Sequence, residues 1–170
     1  MKKLFSLIAF FVIIGLVGVC FGANSSMTVS KDTMISSSEL SRVNVRVITI
    51  IFTADDGTGV IPDLTLNVST AGILHDTVGW TAYKLEIDGN HGGTEPQENS
   101  EVYIYQNAID LLDGNGVDKL DNTTENAVYF QTDSLPMPQP ITGDLTVTVT
   151  QQAAAVASAT GTLYLTLVAK

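Results

Sequence analysis

Beyond Arg42 the chain alternates apolar and polar positions in short bursts, the two-residue period of strands with one buried face. Val43, Val45 and Val47 share one parity, and Ile48, Ile50 and Phe52 hold the other. A change of phase inside so β-branched a run predicts a bulge, or a strand buried on both faces in its C-terminal half. The run stops at Asp55-Asp56-Gly57-Thr58-Gly59, whose Asp and Gly residues supply side-chain-to-backbone bonds and positive φ angles. Leu64, Leu66 and Val68 then alternate with Thr65, Asn67 and Ser69. Trp80 to Ile87 alternates again, and Val102 and Ile104 interleave with Tyr103 and Tyr105. Residues 107–127 read as a loop with a turn, and Ala127 to Thr132 as a strand. Pro136, Pro138 and Pro140 predict an extended connector outside the sheets, because each lacks a backbone donor. Two cleanly alternating strands, 145–150 and 163–167, close the chain, and the Ala-rich segment 153–159 between them suits a helix or, at least as well given Ser158, Thr160 and Gly161, a long hairpin connection.

Residues 23–41 are polar and predict an exposed lead-in holding one edge strand at Met27 and Val29. Residues 42–170 then supply about seven or eight short strands with hardly any amphipathic helix. That pattern predicts an all-β domain, an antiparallel β-sandwich or jelly-roll-like fold.

The N-terminus sets the expected compartment. Lys2 and Lys3 precede an almost unbroken apolar run over residues 4–21, and small or polar residues follow from Gly22. This is the layout of a secretory signal peptide, residues 1–22. A cut after Gly22 places Cys20 three residues upstream, whereas a cut after Ala23 would place bulky Phe21 there. The run also reaches the length that spans a bilayer, so an uncleaved anchor is the alternative. A lipid-modified Cys20 fits less well, with Val19 before it where lipoproteins carry a small residue. Cleaved or anchored, the remainder is expected outside the cytoplasm (secreted, periplasmic or on the cell surface), because the only positive charges flanking the run precede it. Membrane contact is then expected only through an uncleaved leader.

Charge narrows the partners. The chain holds 8 basic against 18 acidic side chains, and losing the leader removes two of the basic ones. Nucleic acid is excluded as a partner, since no Lys or Arg cluster is present to grip phosphate. Only 15% of residues are charged and 45% are apolar, which argues against disorder. One cysteine, inside the leader, leaves the mature chain neither a thiol nor a disulfide.

Candidate chemistry is sparse. The two histidines, His75 and His91, stand in loop-like sequence with no Gly-X-Ser-X-Gly elbow to accompany them. Asp110, Asp113, Asn115, Asp118 and Asp121 crowd one Gly-containing stretch, and hard oxygen ligands on a loop are what calcium takes. The spacing departs from an EF-hand, so a solvated acidic turn is the plainer expectation and no cofactor is required. Asp55 and Asp56 form a second, weaker acidic loop. Trp80, Tyr83, Tyr103 and Tyr105 are candidates for an aromatic platform, although alternation sends half of such residues inward.

Three stretches carry a resemblance: Gly79-Trp80-Thr81-Ala82-Tyr83-Lys84 with Gly92-Gly93-Thr94-Glu95-Pro96, Val102-Tyr103-Ile104-Tyr105 leading to Asp110-Leu111-Leu112-Asp113-Gly114, and Gly143-Asp144-Leu145-Thr146-Val147-Thr148-Val149 with Gly161-Thr162-Leu163-Tyr164-Leu165. Together they resemble small β-rich proteins encoded by tailed phages, prophages and some bacteria. The resemblance implies a structural protein of a virion or surface, and the export segment departs from a plain virion component. The expectation is an exported, non-enzymatic structural or interaction module that meets a protein partner or assembles with itself. The alternative is a secreted calcium- or carbohydrate-binding module.

Overall fold

The computed structural model describes residues 25–36, 44–89, 94–97, 100–120, 125–132, 135–151 and 156–169. The expected leader, with Cys20 and its cleavage site, and also His91 and Asp121, lie outside the described residues. In chain order the strands are β1 (Ser26–Ser36), β2 (Asn44–Thr53), β3 (Leu64–Leu66), β4 (Thr81–Asp88), β5 (Glu101–Gln106) and β6 (Ile109–Asp110). They continue as β7 (Asn126–Tyr129), β8 (Gln131–Thr132), β9 (Leu135–Pro136), β10 (Gln139–Pro140), β11 (Leu145–Thr150) and β12 (Thr160–Ala169). The fold is all-β, with every sheet pairing antiparallel.

One sheet has six strands in the order β1-β2-β12-β4-β10, with β7 also pairing β4. A second has four, β3-β11-β5-β6, and β8 and β9 form a small ribbon of their own. The inward positions of both sheets meet in one cluster. Ile48, Ile50 and Phe52 of β2, Leu163, Leu165 and Leu167 of β12 and Leu85 and Ile87 of β4 join Val102 and Ile104 of β5 and Leu145, Val147 and Val149 of β11. Burying each such side chain stabilises by roughly 1.5–3 kcal/mol, so a core of this size sustains a sandwich without metal or disulfide.

Several strands depart from the sequence expectation, each for a physical reason. In β2 the even positions Arg46, Ile48, Ile50 and Phe52 all face inward, and no phase change occurs. The apparent shift arose because a charged residue holds an inward position. The strand is not buried on both faces, since Ile51 is exposed, and the bulge lies in its neighbour β1, between Val29 and Lys31. The lead-in is itself a full edge strand, with β1 paired to β2 along its whole length.

The strand expected through Val68 ends at Leu66. There the Asn67 side chain accepts the Ser69 amide at 3.0 Å, and the Asn67 amide donates to the Thr70 hydroxyl at 3.0 Å, folding the backbone into a turn. The proline segment does touch sheet: Pro136 opposes Gln131, and Pro140 opposes Thr81. Both lie in two-residue strands, where a missing donor costs little. The last two strands are not a hairpin, for β11 pairs β3 and β5 while β12 pairs β2 and β4 in the other sheet. Alternation tells which face is buried and says nothing about which wall of the core a strand joins.

Gly161 marks a close inward approach. It stands opposite Phe52, and an added Cβ would come within 2.7 Å of the ring and 2.9 Å of the Asp88 carbonyl oxygen. The ring fills the space that the glycine leaves open.

Candidate functional site

The acidic stretch resolves into a set of turns. Asp110 on β6 accepts the amide of Leu112 at 3.0 Å and that of Gly114 at 2.8 Å, one on each carboxylate oxygen. Asp113 (φ 51°) and Asp118 (φ 54°) adopt the left-handed conformation that Asp tolerates better than most residues. Asn115 turns its side chain toward the Tyr129 carbonyl at 3.5 Å. Of the residues singled out as calcium ligands, Asp110, Asp113, Asn115 and Asp118 share this loop. Among the described residues no three His, Cys, Asp or Glu side chains are grouped to hold a metal ion. Asp55 is likewise engaged in its own turn, accepting from the Gly57 amide at 2.9 Å, the Thr58 amide at 2.5 Å and the Thr58 hydroxyl at 2.8 Å. The Thr58 amide and hydroxyl and the Gly57 amide hold its carboxyl below the ordinary 3.8.

A charged cluster lies buried at one end of the six-stranded sheet. Arg46 donates to both oxygens of Asp32, Nε to Oδ1 at 2.8 Å and Nη2 to Oδ2 at 2.6 Å. It also donates to the carbonyls of His75 at 2.6 Å and Asp76 at 2.9 Å, and its guanidinium lies 5.6 Å from the centre of the Trp80 ring. Asp32 completes the set by accepting the Leu74 amide at 2.8 Å. Burial pushes the Asp32 carboxyl up, but the Arg46 bonds, the Leu74 amide and the neighbouring positive charge outweigh it and bring it below 3.8. The Arg46–Asp32 bonds join β2 to β1, and the bonds to the His75 and Asp76 carbonyls and from the Leu74 amide tie the segment between β3 and β4 to both, so the cluster positions backbone. The sequence signal for it was available, since Arg46 shares parity with Ile48, Ile50 and Phe52. His75 is an exposed loop residue that takes part through its carbonyl.

Of the four aromatic candidates, Trp80 packs partly buried against the core, whereas Tyr83, Tyr103 and Tyr105 stand on outer faces. On the four-stranded sheet Tyr103 and Tyr105 stack with ring centroids 5.6 Å apart and planes 18° from parallel. Opposite them on β11 stand Thr148 and Thr146. The Tyr103 hydroxyl donates to Glu101 at 2.8 Å, and this bond, with burial and nearby negative charge, pushes its phenol up to about 12. Tyr105 is also raised, by burial and then by the charges of Asp110, Asp63 and Glu101. Beside this face β3 begins only at Leu64, two residues after donor-less Pro62, and a groove of about 250 Å³ opens between residues 59–63 and the end of β11.

The outer face of the six-stranded sheet is polarised. At one end Glu86, Asp88, Glu125 and Tyr164 surround a groove of about 260 Å³. Elsewhere on it β12 and β4 shift register between Thr166 and Leu167, so that Thr166 opposes Lys84 and Leu167 opposes Ala82. Tyr83 is the extra residue of that bulge and is turned outward next to Lys84. There it meets Tyr129 of β7 edge to face, centroids 5.7 Å apart. Tyr83, Tyr129, Phe130, Pro136, Met137 and Pro138 line an apolar groove of about 340 Å³. Around it Tyr83 is 42% exposed, Tyr129 44%, Leu135 63% and Met137 51%.

Comparison with protein-family models, with curated proteins and with solved structures finds no match to this chain.

Proposed function

We propose that this chain is an exported, non-enzymatic structural or interaction module of a cell surface or a phage-derived particle. The observation that carries the reading is the patch at which Tyr83, Tyr129 and Met137, three exposed large apolar side chains, line one groove on an acidic protein. Apolar side chains gathered on a solvated surface are characteristic of sites that meet another macromolecule. Export rests on the leader-like residues 1–22. Fractionation of cells producing the tagged chain tests the proposal. The expected result is recovery outside the cytoplasm, on envelope or particle fractions, with retention reduced by Tyr129→Asp. Recovery as a free cytoplasmic protein would overturn it.

A second reading, a secreted carbohydrate-binding module, is favoured by the Tyr103–Tyr105 stack with its threonine neighbours and the adjoining groove at Asp63. Aromatic rings beside hydroxyl and carboxylate groups suit a neutral sugar, whose ring has apolar and hydroxylated faces. Calorimetric titration with neutral oligosaccharides tests it: binding that Tyr105→Ala abolishes supports this reading, and the absence of heat removes it.

A further inference from the structure

We propose that Asn115 is a site of self-modification: in the folded chain the Gly116 amide nitrogen closes onto the Asn115 side chain, and the ring reopens to aspartate and isoaspartate.

Sequence is the first support. Closure needs the backbone nitrogen of the next residue to reach the asparagine Cγ, and a side chain on that residue obstructs the approach. Asn115 is followed by glycine, whereas every other asparagine of the chain precedes Ser, Val, His, Ala or Thr. Glycine also leaves the backbone its widest choice of angles for the attack.

Packing keeps that dipeptide in place. A Cβ on Gly116 would overlap the Val102 carbonyl oxygen, so close contact with β5 demands glycine here. The Gly116 carbonyl in turn accepts the Val102 amide at 3.0 Å. Asn115 itself is half-buried, within reach of water, and its Nδ2 is directed at the Tyr129 carbonyl at 3.5 Å, a long and weak restraint. Gly116 is buried, so closure proceeds from local openings of the turn. The turn is suited to such openings. Asp113, Gly114 and Asp118 are exposed, and Asn115 and Val117 are held by short-range bonds to the Leu112 carbonyl at 2.9 Å and the Gly114 carbonyl at 3.2 Å.

The chemistry needs only water as co-reactant. The Gly116 amide gives its proton to solvent base, its nitrogen bonds to Asn115 Cγ, and Nδ2 takes up a proton and leaves as ammonia. Water then adds to either ring carbonyl. Opening at Cγ restores the main chain with an aspartate, whereas opening at the main-chain carbonyl carbon routes the backbone through the side chain as isoaspartate. Both products put a new carboxylate where an amide donor faced the Tyr129 carbonyl, in a loop that already holds Asp113 and Asp118. Isoaspartate also lengthens the main chain by a methylene just before the glycine that anchors the loop to Val102.

Ageing the purified full chain in warm, mildly alkaline buffer tests the proposal, with peptide mapping by mass spectrometry and fragmentation that separates aspartate from isoaspartate. Asn115 is expected to convert at least about tenfold faster than Asn67, Asn107 or Asn126, at a rate that rises with pH, and to yield both products. Asn115→Gln, whose longer side chain closes this ring poorly, should remove the conversion and leave the melting temperature unchanged. Gly116→Ala is the poorer control, because the Val102 contact opposes its folding. In the isoaspartate form the Val102 amide is expected to exchange hydrogen faster than in Asn115→Asp, which carries the charge without the longer backbone. Conversion no faster than at the other asparagines, conversion confined to chain held in urea, or aspartate as the sole product would each overturn the site. Equal Val102 protection in the isoaspartate form and in Asn115→Asp would overturn its effect on the anchor.

Discussion

Arg46 and Asp32 form a doubly hydrogen-bonded ion pair with both side chains fully enclosed, joining adjacent strands at the end of the six-stranded sheet. The pair is costly to desolvate, and it is retained where it also satisfies two loop carbonyls and one loop amide. Removing one partner should therefore be far worse than removing both. Asp32→Asn or Arg46→Met is expected to cost about 3–5 kcal/mol in urea unfolding, whereas Asp32→Leu with Arg46→Met should lie within about 1 kcal/mol of wild type. A double variant as unstable as the singles would show that the loop bonds, and not the uncompensated charge, set the cost. In either case hydrogen exchange at the Leu74 amide should accelerate.

The same pair sets an acid limit. The folded carboxyl of Asp32 lies below its ordinary 3.8, so its contribution is fully present above that pH and is lost as pH falls through the folded value. Asp55 is lowered by its turn and acts in the same direction. Melting temperature is expected to be level near neutrality and to fall below about pH 4. Asp32→Asn should retain only the shallower decline due to Asp55, and an unchanged decline would remove Asp32 as its source.

Gly161 is held to its identity by the Phe52 ring. Gly161→Ala is expected to destabilise by about 1–3 kcal/mol through overpacking. Phe52→Leu alone should also destabilise, by shrinking a buried side chain, but it should relieve part of the alanine's cost when the two are combined. Strictly additive losses in a double-mutant cycle would contradict the contact.

The turn from β5 to β6 places both Asn107 (φ 51°) and Ala108 (φ 64°) in the left-handed region. A two-residue hairpin with two positive φ angles prefers Asn-Gly, and alanine bears the Cβ penalty. Ala108→Gly is expected to raise stability by about 0.5–1 kcal/mol, the relief exceeding the extra freedom of the unfolded chain. A destabilised variant in thermal melts would refute the strain.

The acidic loop and the tyrosines show how far residue types alone reach. Asp110, Asp113 and Asp118 are turn formers as readily as ligands, and the backbone amides claimed the oxygens of Asp110. Tyr103 and Tyr105 were legible as a pair, because equal parity puts them on one face and the apolar Val102 and Ile104 on the other. Tyr83 was not legible as part of the exposed patch. Its outward turn depends on the bulge against β12, and its neighbour Tyr129 comes from a strand distant in sequence.

Sequence by itself determined the all-β class, most of the strands and the wet and dry face of each, since a two-residue period is a local property that hydrophobic burial reads directly. Tertiary structure alone decided that β11 and β12 join different sheets, that Arg46 is satisfied inside the protein, and that Tyr83 meets Tyr129. Each of these depends on which distant segment arrives alongside, and many strands offer equivalent backbone donors and acceptors. Only the shared core and the available partners for buried charge select among them.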